Sequence, residues 1–352
     1  MVQGRLCSEN RISTLSFNHN CFDMIRYFAA FSVMCLHYTG YSLMLCNNAT
    51  SFMTILRAIV DFFPGVVVLF SLSGYLVSAS AERSQSRKTF LRKRVLRMYP
   101  ELWLSTFVNL LVFSILASPL PWKQILVWLF TQFFGIANTP ACLKGFATGS
   151  VNGALWTIFT EIQLYICLCL FSSILKKLSN IQWGVLLLVT LICNFVCNYL
   201  SASASGMINK IIERSILPYA IWFLIGSFLY YHSNVILYLK KYFSVLLMVY
   251  TIFHFLPFNI PGYYTDIITS LLCPVIVILS GYVLPAKRLS CDLSYGMFLY
   301  HWIILNIIVY FNLWNQIPWF ICFLLFLATT LLLSWISHHL IKMFYRKAGK
   351  VS

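Results

Sequence analysis

From about residue 22 to residue 341, apolar runs follow one another with only short polar connections. A run of about 20 apolar residues is the length a helix needs to cross a bilayer. With 60% of the chain hydrophobic and only 10% charged, the pattern predicts an all-α, polytopic integral membrane protein. The first twenty or so residues are polar. A cleaved signal has its apolar core near the start, so the first helix is expected to be retained. The expected organisation is a cytosolic N-terminal segment at 1–21, a membrane domain at 22–341 and a short basic cytosolic tail at 342–352, with no second, soluble domain.

Eleven apolar runs fall roughly at 22–46, 52–80, 98–118, 122–137, 153–175, 181–200, 212–231, 241–257, 264–285, 290–313 and 317–341. The fourth is short, follows Pro119 to Trp122 and opens with Lys123. If it spanned, the later basic pairs would fall opposite the strongly basic loop after the second helix, against the positive-inside rule. If it re-enters or lies in the interface, nineteen of the 25 Lys and Arg residues share the cytosolic side. The predicted topology is therefore ten spans plus one short re-entrant or interfacial helix, with both termini cytosolic. The net charge of +16 follows from that distribution and gives no support to nucleic-acid binding.

The stretch IRYFAAFSVMCLHYTG, Ile25 to Gly40, carries two ionisable residues into the first apolar run. Arg26 and His37 are eleven residues apart, which at 100° per residue brings them within about 20° of one face, roughly 16 Å apart along the axis. Both are expected to point into one cavity. Ionisable residues at depth are costly and usually face a bundle interior or water, which makes the two functional candidates. The plainer alternative is an arginine snorkelling to the interface and a histidine hydrogen-bonded to a neighbouring helix.

Four further stretches follow in order: FFPGVVVLFSLSGYLVS (Phe62 to Ser78), FLRKRVLRMYPELWLS (Phe90 to Ser105), NGALWTIFTEIQLYI (Asn152 to Ile166) and LSYGMFLYHWII (Leu293 to Ile304). Together with the Arg–ten residues–His spacing, they resemble the motifs of the acyltransferase-3 family of membrane O-acyltransferases. The resemblance covers nearly the whole chain. It departs from the pattern in two places: Glu161 is followed by Ile162 where relatives often carry a second acid, and the first helix opens DMIRYFAA. Some relatives add a soluble hydrolase-like domain, and this chain is expected to be the bare membrane domain.

The resemblance implies transfer of an acyl group, most often acetyl, from a cytosolic acyl-CoA to a sugar hydroxyl, commonly on a bacterial surface glycan. Such chemistry requires a base for the alcohol proton, stabilisation of the oxyanion and a grip on the donor. Neutral imidazole accepts a proton near pH 7, so His37 is the first candidate base, and His301 is a second base or relay. Glu161 lies at a depth similar to that of His37 and is expected to orient it or to hydrogen-bond the acceptor, with Trp156 stacking on a sugar face. The alternatives are a structural pair of Glu161 with a basic residue such as Arg214, and an interfacial anchor at Trp156. Arg suits bidentate phosphate contacts, which makes Arg94 and Arg97, three apart, the candidate donor grip, with Arg26 near the same side. Arg83, Arg87 and Lys88 are read as topology signals that meet anionic headgroups.

Ser71 and Ser73 in SLSGYL are expected to serve close helix packing, with a nucleophile for an acyl-enzyme as the alternative and Ser73 counted among the supporting residues, and Pro64 with Gly65 is expected to break that helix. Tyr295 joins His301 as a supporting residue. No cluster of His and Cys at ligand spacing suggests a metal, and no nucleotide-binding fingerprint is present. The expected partners are acyl-CoA as a co-substrate that is not permanently bound, a glycan acceptor and the lipid bilayer, in a bacterial cytoplasmic membrane. A secondary transporter or glycan flippase is the alternative class. It is disfavoured because the charged motifs cluster in the first half and do not recur in the second.

Overall fold

The computed structural model describes residues 19–46, 51–203, 206–257, 259–287 and 289–347, with the side chain of Lys347 excepted. Most of the expected N-terminal segment and the end of the basic tail lie outside the described residues. Among the described residues the fold is helical throughout, with no strand.

The helices run α1 Phe22–Leu45, α2 Ser51–Asp61, α3 Gly65–Glu82, α4 Arg87–Leu116, α5 Trp122–Phe133, α6 Leu155–Leu175, α7 Asn180–Ser203, α8 Gly206–Glu213, α9 Ala220–Tyr231, α10 Ser233–Leu239, α11 Phe243–Phe255, α12 Ile267–Val283, α13 Ser294–Tyr310 and α14 Trp319–Lys347. Among the described residues, seven stretches are long and apolar enough to cross a membrane: α1, the run from Ser51 to Glu82, α4, α6, α7, the run from Ser233 to Phe255, and Trp319–Arg346. Three shorter apolar helices, α9, α12 and α13, lie within the remaining predicted spans. The 12 residues of α5 rise about 18 Å, short of a hydrocarbon core of roughly 30 Å.

Two boundaries differ from the hydropathy reading, and the break expected at Pro64 and Gly65 is present. The second apolar run is broken between Asp61 and Gly65, where Pro64 lacks an N–H and disfavours the helical conformation of Phe63. The third begins eleven residues earlier than predicted, at Arg87, so much of the basic segment expected as a loop is the first turns of α4. Hydropathy misses this because charged residues lower the mean while Arg and Lys remain good helix formers. The seventh is interrupted after Glu213 and resumes at Ala220.

By packing, the chain forms two units: Met1–Ala29, Val66–Phe90 and Gln163–Ser290 in the first, and Ala30–Gly65, Leu91–Ile162 and Cys291–Ser352 in the second. The first unit is held by small residues between α3 and α9. A Cβ on Gly74 would sit 1.9 Å from the Phe223 carbonyl oxygen, and one on Gly226 would sit 2.1 Å from that of Ser71. Ser78 donates to Ser227 across the same contact at 3.0 Å. This is the close helix approach that SLSGYL leads one to expect, since in lipid small residues let backbones meet. Ser71 donates to the Val67 carbonyl at 2.5 Å. Ser73 hydrogen-bonds Tyr165 at 3.0 Å.

Candidate functional site

In the second unit α1 and α13 bring two histidines together. His37 Nδ1 lies 2.9 Å from His301 Nε2. The ring planes differ by 3°, with centroids 5.2 Å apart. A 2.9 Å nitrogen contact gives that centroid separation only when the rings lie edge to edge in one plane. This is the geometry that in-plane N–H groups and lone pairs require.

The protonation pattern follows from the next link. His301 Nδ1 lies 3.1 Å from the Met297 carbonyl oxygen, and a carbonyl only accepts. Nδ1 of His301 is therefore the protonated nitrogen, and its Nε2 carries the lone pair. His37 must then donate from Nδ1, which leaves Nε2 of His37 as the basic nitrogen. His301 is completely buried, whereas His37 is half-buried. Of the two rings, only that of His37 retains accessible surface. His301, 264 residues away in sequence, thus lies within hydrogen-bonding distance of His37. Hydropathy and spacing carry no information on which helices meet at that depth.

The remaining expected residues divide between the two units. Glu161 and Trp156 lie half-buried on α6 within the second unit. Arg94 and Arg97 are on α4 in the same unit, the former half-buried and the latter exposed. Arg97 Nη2 lies 3.4 Å from Asp292 Oδ2, with the two side chains 50% and 36% exposed. A pair that long and that wet is worth roughly 0–1 kcal/mol. It therefore leaves the guanidinium able to take another anion. Tyr295 is half-buried in the first turn of α13. Arg26 and Ser73 belong to the first unit, where Arg26 lies 3.4 Å from Asp23.

Three residues at the site were not singled out from sequence. Trp302 packs its indole on His37, with centroids 4.7 Å apart at 74°; its adjacency to His301 in the quoted motif was the available signal. Asp292 precedes Leu293, the N-cap of α13, and accepts from Ser294 N at 3.2 Å and Ser294 Oγ at 2.5 Å. The Asp–Leu–Ser spacing ahead of an apolar run is a readable Asx-turn. Glu101, an acid inside an apolar run, accepts from Ser337 Oγ at 3.2 Å. Gly296 makes room for it, since a Cβ there would sit 2.6 Å from Glu101 Oε1 and 2.8 Å from Ser334 Cβ. Gly296→Ala is accordingly expected to destabilise the protein by about 1–3 kcal/mol through overpacking. A lowered thermal midpoint in detergent would register it, and an unchanged midpoint would contradict the packing argument. Among the described residues no group of three His, Cys, Asp or Glu side chains is placed to hold a metal ion.

A family model described as an acyltransferase domain, acyltransferase-3, matches residues 19–339. The chain belongs to the acyltransferase-3 family. Among its relatives, nodulation protein 10 of Rhizobium leguminosarum bv. viciae is 31% identical over 182 residues, covering 46% of this chain and 46% of that protein. An O-acetyl transferase of Shigella phage Sf6 is 26% identical over 152 residues, covering 42% of this chain and 44% of that one. This acyltransferase-3 chain thus spans less than half the length of either relative. No solved structure matches it.

Proposed function

We propose that the protein is a multi-pass membrane O-acyltransferase that moves an acyl group, acetyl by preference, from acyl-coenzyme A to a sugar hydroxyl of a surface or lipid-linked polysaccharide. The observation that carries this reading is the in-plane His37–His301 pair in a chain of this family. The preference for acetyl leans on the relative named an O-acetyl transferase. The proposed topology remains ten spans with both termini cytosolic, in a bacterial cytoplasmic membrane.

In the proposed reaction Nε2 of His37 takes the proton of the acceptor hydroxyl as its oxygen attacks the thioester carbonyl. Nδ1–H of His37 stays hydrogen-bonded to His301, which steadies the imidazolium as it forms. Collapse of the tetrahedral intermediate breaks the C–S bond, and His37 returns the proton to the leaving thiolate. The products are the sugar ester and free coenzyme A. Glu161 and Trp156 are proposed to meet the acceptor, one by hydrogen bonding and the other by stacking.

The donor end is argued from Asp292. The residue both contacts Arg97 and bonds Ser294 at the start of α13, and His301 lies seven residues into that helix, about 10 Å along its axis. Coenzyme A is built for such a span, with phosphates at one end of a long pantetheine arm and the thioester at the other. Arg94 and Arg97 are proposed to hold the phosphates, with Tyr295 at the same end of α13.

Acceptor-dependent release of free coenzyme A from acetyl-CoA by the protein in detergent or vesicles tests this reading. Arg97→Ala is expected to raise the donor KM roughly 10- to 100-fold, the equivalent of one charge-assisted contact of about 1.5–3 kcal/mol, with a smaller change in kcat. No release with any glycan and acyl-CoA supplied would overturn the enzyme reading in favour of transport.

A further inference from the structure

Directly ahead of α6 the chain makes a tight turn, with Ala147 at φ 49° and Gly149 at φ 75°. The carbonyls that follow are outside regular helix, and buried backbone groups need partners. Side chains of α1 and α13 supply them. Asn306 Nδ2 donates to the Ser150 carbonyl at 3.0 Å and to the Val151 carbonyl at 3.2 Å. Its Oδ1 accepts from Thr148 N at 3.2 Å and Thr148 Oγ1 at 2.7 Å. Trp302 Nε1 donates to Thr148 Oγ1 at 3.1 Å and to the Ser150 carbonyl at 3.2 Å. Tyr41 donates to the Thr148 carbonyl at 3.3 Å, and Asn152 Nδ2 reaches the Leu299 carbonyl at 3.0 Å.

Two helical repeats organise this clamp. Trp302 and Asn306 are four apart on α13, and His37 and Tyr41 are four apart on α1, so each pair shares a face. Gly153 completes the seat, because a Cβ there would fall 2.3 Å from the Trp302 ring. The indole is therefore fixed at its N–H by the turn and against its ring by the Gly153 backbone, while it meets the His37 ring edge-on and lies beside Tyr41 and His301 as well.

We propose that Trp302 and Asn306 are positioning residues that transmit the Thr148–Asn152 turn to the His37 ring and fix the direction of its Nε2. The bond to His301 fixes one edge of the imidazole, and the seated indole packed against it at 4.7 Å limits how far the ring can turn. A base displaced by about 1 Å loses on the order of 10²-fold in rate. The inference rests on the acyl-transfer reading for its kinetic consequence and on geometry alone for its structural one.

The test uses Trp302→Phe, which keeps an aromatic ring and removes the N–H, and Asn306→Ala, each as full-length protein in detergent. Turnover is measured beside carbethoxylation of individual histidines by diethylpyrocarbonate, read by mass spectrometry with His339 on α14 as internal reference. The expected result for both variants is a several-fold faster modification of His37, unchanged at His339, with kcat lowered roughly 10- to 100-fold and both KM values held. Unchanged His37 modification in two folded variants overturns the proposal. So does a loss of turnover that merely tracks loss of folded protein. If the wild type transfers no acyl group, the acyl-transfer reading falls, and the modification rates still decide the positioning claim.

Discussion

Replacing His37 by alanine is expected to lower turnover about 10³-fold, within the 10²–10⁴ range that a positioned general base contributes, while binding of acyl-CoA stays close to wild type. The direction follows from the protonation pattern. Nε2 of His37 is the lone-pair nitrogen of a pair whose other member is completely buried. Alanine at position 37 removes the one imidazole of that pair with accessible surface. The donor contacts proposed at Arg94 and Arg97 do not involve it, so equilibrium binding of a non-hydrolysable acyl-CoA analogue should separate the two roles. Wild-type turnover in His37→Ala would sink the mechanism. Lost binding together with lost turnover would instead place the ring in the donor pocket.

Substitution of His301 should cost nearly as much and in a more discriminating way. His301→Phe fills much of the same space and removes the acceptor for His37 Nδ1–H, which leaves a donor at half-buried His37 without its bond and lets the ring turn. Loss of the orienting member of a triad costs about 10⁴-fold in the enzyme where it is best measured. A neutral orienter contributes less charge stabilisation, so about 10²- to 10³-fold is expected here. His301→Gln is the informative companion, because its side-chain carbonyl can accept from Nδ1–H. Recovery of part of the lost kcat in His301→Gln relative to His301→Phe, at unchanged KM, would mark orientation as the role. Equal loss in the two would point to His301 itself exchanging a proton with substrate.

Some of the site was readable because its signals are local. Intramembrane ionisable residues stand out against an apolar background whatever their partners, which is how Arg26, His37 and His301 were found. The break at Pro64, the small residues of SLSGYL and the Asp292 turn ahead of α13 are likewise written in neighbouring residues. The beginning of α4 at Arg87 was obscured by the same charge that made the segment conspicuous. Glu101 was visible as an acid in an apolar helix, but its Ser337 partner lies 236 residues away.

From sequence alone come the helical class, the family resemblance and the short list of chemically able side chains, since each depends on composition, periodicity or motif order along the chain. Only the tertiary structure decided that His301 lies within hydrogen-bonding distance of His37, that Trp302 and Asn306 bond to the turn ahead of α6, and that Asp292 joins Arg97 to the helix bearing His301. The reason is physical. In a bilayer nearly every helix face is apolar, so hydropathy does not encode which faces meet. The direction of a lone pair is set by hydrogen bonds between helices that are distant in sequence.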